Sequence, residues 1–167
     1  MTIIVEDGTG VANANSYASV AEAEAYFNLK GRTVAVTEEA LINATQFLDL
    51  SYGEQYLGYK KDKNQELDWP RTAFYNHDRF LVTTGTMPKE LKIALYETAS
   101  LAIAGTDLFS DVPLEDANLK SITNTVEGAV SQSKEYFTPT RTSEKASIGK
   151  YLYKILKPSA GQSVRIK

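Results

Sequence analysis

The chain has 167 residues, near the size of one domain, and 43% of them are hydrophobic, enough for one real core without a staple. It contains no cysteine and a single histidine, which excludes a disulfide framework and a thiolate nucleophile and leaves a zinc site only His77 and carboxylates. The net charge of −3 hides a polarity: residues 1–119 carry 9 Lys/Arg against 18 Asp/Glu, whereas residues 120–167 carry 9 against 3.

That polarity suits head-to-tail contact between like subunits, or a basic end that touches phosphates. A solvated basic surface is the plainer account. The N-terminus has no basic region followed by an apolar run, and no stretch is apolar for long enough to span a bilayer. The expectation is a soluble protein used without export and without a membrane.

In chain order, Met1–Val5 is apolar and β-prone, and the following D-G-T-G ends it as a turn, so it reads as a short strand or an arm. Ser19 and Glu22 have capping-box spacing, which predicts a helix to about Leu29 with Ala23, Tyr26 and Phe27 on one face. Thr37 is a plausible N-cap for a second helix, with Glu38 and Glu39 at its positive end. Its stripe is Leu41, Ala44, Thr45, Leu48 and Tyr52, and Gly53 and Gly58 mark its end. The polar connection K-K-D-K-N-Q-E-L-D-W-P-R-T-A-F-Y-N-H-D-R-F has no clean period and reads as irregular, docked onto the helices by Trp69. Pro88 opens a third helix whose stripe is Leu91, Ala94, Leu95, Thr98, Ala99 and Ala102, ending near Gly105. Beyond Leu119 the pattern predicts a β-hairpin bending near Gly128. A last helix carries Ile148, Tyr151, Leu152, Ile155 and Leu156, flanked by Lys150, Lys154 and Lys157, and Pro158 and Gly161 stop it. The tail S-V-R-I-K is a final strand or a second arm. The fold expected is therefore mainly α. A small helical bundle core spans residues 15–105, a β-hairpin and C-terminal helix span 119–158, and extended arms flank this single domain of residues 1–167.

No chemistry stands out. No G-x-S-x-G elbow surrounds a serine, no phosphate-cradling glycine loop follows a strand, and the D-G-T-G run has the wrong order for an aspartic-protease triplet and occurs once. His77, between Asn76 and Asp78, reads as a solvent-facing imidazole. Asp62, Glu66, Asp68 and Asp78 alternate with Lys60, Lys61, Lys63, Arg71 and Arg79, which reads as self-neutralising surface charge and not as a metal site. The reading is a binding protein, no enzyme, with no cofactor and no metal. Single-strand binders combine cations with stacking rings, and Lys134, Tyr136, Arg141, Lys150, Tyr153 and Lys157 are the candidates for that role. Tyrosine is as much at home in protein interfaces, and periodic Tyr151 and Ile155 read as core.

The order of segments V-E-D-G-T-G-V-A-N-A-N-S-Y, E-A-L-I-N-A-T-Q-F-L-D, Y-L-G-Y-K, L-D-W-P-R-T-A-F and M-P-K-E-L-K-I-A-L-Y-E-T-A resembles a family of tailed-phage and prophage proteins. Its members carry the name DnaT-like single-stranded-DNA-binding protein and are similar in size and setting to head–tail connector, or adaptor, subunits. The resemblance covers residues 3–105 well and the rest in general plan. It implies a self-associating ring, a dozen subunits by the resemblance, in the virion neck, with a phase in the host cytoplasm before assembly. The implied partners are a portal protein, a stopper or tail-completion protein, and transiently the packaged DNA. The family supplies no catalytic residues. The interface residues expected on this reading are Trp69, Pro70, Arg71, Tyr151, Lys154, Ile155 and Arg165, with Trp69 and Pro70 fixing the loop and Arg71 pairing with a carboxylate. The alternative is a replication-type single-strand-binding protein.

Overall fold

The structure is a computed structural model that describes residues 2–109, 119–126, 130–136 and 144–158. It is mainly helical. Helix α1 spans Val20–Leu29, α2 Glu38–Tyr52, α3 Lys89–Ile103 and α4 Glu144–Leu152. A two-stranded antiparallel pair, β1 (Phe74–Tyr75) and β2 (Leu81–Val82), lies between α2 and α3. A longer hairpin, β3 (Leu119–Val126) and β4 (Val130–Tyr136), precedes α4.

The helix starts follow local chemistry. Ser19 and Glu22 form the reciprocal capping box, the Ser19 side chain accepting from the Glu22 amide while the Glu22 carboxylate takes the Ser19 amide. Thr37 accepts from the Ala40 amide and so covers one of the four unpaired donors of α2. Pro88 stands one place earlier than expected, at the N-cap of α3, where its missing N–H costs nothing.

Helix α2 is the centre of the molecule. The expected Leu41, Ala44, Thr45 and Leu48 are buried, and so are Ala40, Ile42 and Phe47, because other elements cover it on more than one side. Helix α3 packs along it through Leu91, Ala94, Leu95 and Ala99, and α4 packs on α3, bringing Ile148 and Leu152 into the same core. Full burial of each leucine is worth ~1.5–3 kcal/mol. Two ion-pair groups tie α1 to α3: Lys92 with Glu22 at 2.6 Å, and Arg32 and Lys30 with Glu97 at 2.8 and 3.1 Å. Among the described residues no helix is long and apolar enough to cross a membrane.

Three expectations need correction here. The N-terminal stretch is no free arm: Ile4 exchanges hydrogen bonds with Asn15, and the Glu6 amide donates to the Ser16 carbonyl. Beyond it the D-G-T-G turn curls three amides, of Gly8, Gly10 and Val11, onto the buried Glu6 carboxylate at 2.8–2.9 Å. Gly8, at φ +101°, then lies so close to Gly85 that a Cβ would sit 1.9 Å from the Gly85 carbonyl oxygen, which leaves no room for any side chain. The final helix ends earlier than its apolar period suggested. Regular α structure stops at Leu152, Tyr153–Ile155 is a 3₁₀ turn, and Leu156 is extended, because the Ile155 carbonyl accepts from the Leu57 amide. Tyr151, counted on the apolar face, is 40% exposed. The tail S-V-R-I-K lies outside the described residues.

Candidate nucleic-acid interface

The polar connection after α2 is built around one buried anchor. Trp69 is 1% exposed and packs edge-on against Tyr56 and Phe74, with ring centroids 5.6 and 5.8 Å apart. Tyr17 holds this anchor from the other side: its hydroxyl donates to Asp49 at 2.6 Å and accepts from the Asp68 and Trp69 amides. Burial pushes the Asp49 carboxyl up to about 6, against the opposing pull of its hydrogen bonds from Tyr17 and Asp68. Burial also raises the Tyr17 hydroxyl well above its usual range, so it stays a donor.

Arg71 departs from expectation. Its guanidinium is buried and reaches carbonyls, not a carboxylate: Leu57 and Gly58 at 2.9 Å and Asp68 at 3.2 Å. The Asp68 carboxylate pairs instead with Lys60 at 3.0 Å. Arg71 therefore pins residues 57–58 to residue 68, and its planar fork suits three acceptors in a way a lysine does not.

From this anchor the chain runs outward into β1 and β2, where sequence periodicity showed nothing. Phe74 faces the core, while Tyr75 and its cross-strand partner Leu81 face out. The hairpin is fastened to the turn after α4. The His77 amide donates to the Lys154 carbonyl at 3.2 Å, its Nε2–H donates to the Leu156 carbonyl at 2.8 Å, and Asp78 pairs with Lys154 at 2.5 Å. His77 is thus half-buried and not a free surface imidazole; its ring also packs edge-on against Tyr153 at 4.5 Å. The hydrogen bond that Lys154 donates to the Asp78 carboxylate raises its ammonium above the usual range.

The two fastened segments carry three exposed rings on a braced support. Tyr75 is 67% exposed, Phe80 70% and Tyr153 53%. Arg79, Lys150 and Lys157 are exposed in the same two segments. Arg79 has a positive φ of 64°, which turns the hairpin tip, and its guanidinium has no partner among the described residues. Lys157 also donates to the Glu54 carbonyl at 2.8 Å. Rings with accessible faces beside exposed cations are the arrangement by which single strands are held: bases stack, phosphates pair.

Over residues 1–167 the sequence matches the family model described as "Putative DnaT-like ssDNA binding protein". The chain belongs to this family. No curated protein and no solved structure gives a significant match to it.

In this DnaT-like chain the residues nominated from sequence separate into two groups. Trp69, Pro70, Arg71 and Ile155 are buried in the core, so their surface is spent inside the chain. Lys150, Tyr151, Tyr153, Lys154 and Lys157 are exposed on α4 and the turn that follows it. Lys134 and Tyr136 lie on strand β4, and Arg141 and Arg165 fall outside the described residues. Tyr75, Phe80 and Arg79 were not among the candidates. The only sequence signal for them was the run F-Y-N-H-D-R-F-L itself, dense in rings within an otherwise polar connection. Among the described residues no group of three or more His, Cys, Asp or Glu side chains is placed to hold a metal ion.

Proposed function

We propose that this protein binds single-stranded nucleic acid on the ridge formed by the β1–β2 hairpin and the 150–157 segment. Tyr75, Phe80 and Tyr153 serve as base platforms, and Arg79, Lys150 and Lys157 as phosphate contacts. The observation that carries this reading is the exposure of three rings on a support braced by His77, Asp78 and Lys154. The braced support matters because stacking on rings that are already held costs little ordering entropy. Membership of a family described as ssDNA-binding points the same way. The acidic first part of the chain limits the electrostatic share of affinity, so stacking must supply more of it.

A second reading, a head–tail connector subunit assembling as a ring in the virion neck against a portal protein, is favoured by a different observation. Leu29, Leu50 and Leu81 are 89%, 78% and 54% exposed, and aliphatic side chains stack poorly on bases but suit protein contacts. Fluorescence anisotropy of a labelled single strand of about 30 nucleotides, titrated at low and moderate salt, separates the two. Binding that persists at moderate salt supports the ridge as a single-strand site. No binding, with self-association rising with protein concentration, supports the connector.

A further inference from the structure

On the side of α2 near the N-terminal segment, a pocket of about 440 Å³ opens between Ala14, Asn15, Gln46, Leu50, Glu66 and Leu67, with half-buried Asp49 in its lining. Ala14, Leu50 and Leu67 make its apolar lining, and Glu66 is exposed at it. The Asp49 carboxylate is oriented by two donors, the Tyr17 hydroxyl on Oδ1 and the Asp68 amide on Oδ2, so each oxygen keeps a free lone pair. Among the described residues neither Asp49 nor Glu66 has an ion-pair partner, and the nearby Lys60 is engaged with Asp68. Lys60 and Arg71 act on Asp49 only at longer range. A carboxylate drawn out of water without an ion-pair partner of its own is costly, and the pocket beside it offers a route for one to arrive.

We propose that this pocket takes one cationic side chain, an arginine or lysine of a partner polypeptide, pairing with Asp49 while its aliphatic stem lies along Leu50 and Leu67. The lining fits that chemistry better than its competitors. A bare metal ion needs more oxygen ligands than two carboxylates and has no use for leucine walls. A neutral apolar group would cover Asp49 and leave its charge uncompensated. A long basic side chain supplies both halves, an apolar stem and a charged end. The site is separate from the ridge of Tyr75, Phe80 and Tyr153 and does not depend on that surface binding nucleic acid.

The pairing needs Asp49 ionised. The groups that face it are the Tyr17 hydroxyl from the N-terminal segment, Tyr56 beyond the end of α2, and Asp68, Lys60, Glu66 and the more distant Arg71 guanidinium, which is spent on carbonyls, from the connection. Tyr17 and Tyr56 stay protonated because burial raises both well above their usual range. The Asp49 carboxyl, raised to about 6 by burial, is then the group whose charge changes over the mildly acidic range.

The test titrates the isotope-labelled full chain with N-acetyl-arginine amide, followed by amide NMR. N-acetyl-citrulline amide, of the same shape without the charge, is the control. The expected result is saturable shifts confined to the amides of residues 46–50 and 66–68 with the arginine probe and none with citrulline. Affinity should fall about tenfold between about pH 7.5 and about pH 5 as Asp49 protonates. Asp49→Asn should abolish the response. Because that variant also changes a buried group, exposed Leu50 gives a second handle: Leu50→Lys should block the probe with a tethered ammonium, and Leu50→Gln should not. Equal response to both probes, no saturable response, or an unchanged response in Leu50→Lys overturns the proposal.

Discussion

Asp49 makes the stability of this protein depend on pH in an unusual direction. Its carboxyl rises from 3.8 to about 6 on folding because burial disfavours the ionised form. Between those two values the folded chain holds a proton that the unfolded chain has released. The contribution is therefore fully present below the unfolded value and is lost as pH rises through about 6. A shift of this size corresponds to about 3 kcal/mol. Asp49→Asn removes the titration. Its amide can still accept from Tyr17, but it sets an N–H against the Asp68 amide, a cost that does not vary with pH. Glu22, Glu97 and Asp7 have lowered values, held down by Lys92 and Ser19, by Arg32, Tyr26 and Lys30, and by Thr9. They act in the opposite sense, with stability lost as pH falls through their depressed folded values, but they are common to both proteins and cancel in the difference. Urea unfolding of both proteins, followed by Trp69 fluorescence from about pH 4 to about pH 7.5, should show the wild type losing about 2.4 kcal/mol relative to the variant as pH rises. A gap that stays constant across that range refutes the reasoning.

Trp69→Ala should cost ~3–5 kcal/mol by thermal melting, since it empties the contact between Tyr56 and Phe74. Trp69→Phe should cost far less, because the buried indole Nε1 has no acceptor among the described residues and nothing is lost with its N–H; equal costs for the two variants contradict the anchor described. Arg71→Met leaves three carbonyls without their donor and should destabilise by about 3–4 kcal/mol in denaturant titration, at roughly 1 kcal/mol or somewhat more per bond. A loss under about 1 kcal/mol would mean that Arg71 does not hold the connection together.

The helices were legible because their signals are local. Ser19 with Glu22, Thr37 before two glutamates, and Pro88 before a stripe of leucine and alanine each act within one or two turns; α1 and α2 start where those residues say, and α3 one residue later. The β3–β4 hairpin was legible from alternation, with Val126 opposite Val130 across the bend. What escaped is set by distant partners. Strands β1 and β2 have two residues each, too short for any period, and exist because residues 57–60 and 154–156 pair beside them. Glu6 had no signal of its own between the apolar Met1–Val5 and the D-G-T-G turn, yet that turn supplies the amides that let it be buried. Arg71 looked like one more surface charge because nothing in its neighbours announces three inward carbonyls. On the candidate ridge, Tyr153, Lys150 and Lys157 were readable as rings mixed with charge. Tyr75 and Phe80 were not, since the hairpin that carries them is tied to the 153–156 turn by a hydrogen bond spanning 79 residues, from His77 to Leu156.

The most direct test of the central claim is anisotropy of a labelled single strand with the wild type and with Tyr75→Ala/Phe80→Ala/Tyr153→Ala, at moderate salt. Tyr75 and Phe80 are two-thirds exposed and Tyr153 loses only its edge contact with His77, so the helical core should stay folded, which far-UV circular dichroism of the variant checks. At ~1 kcal/mol or more of stacking per ring, the account predicts wild-type binding that survives the salt and a loss of about a hundredfold or more in the variant. Equal affinity of the two proteins, or wild-type binding that vanishes with salt, contradicts it.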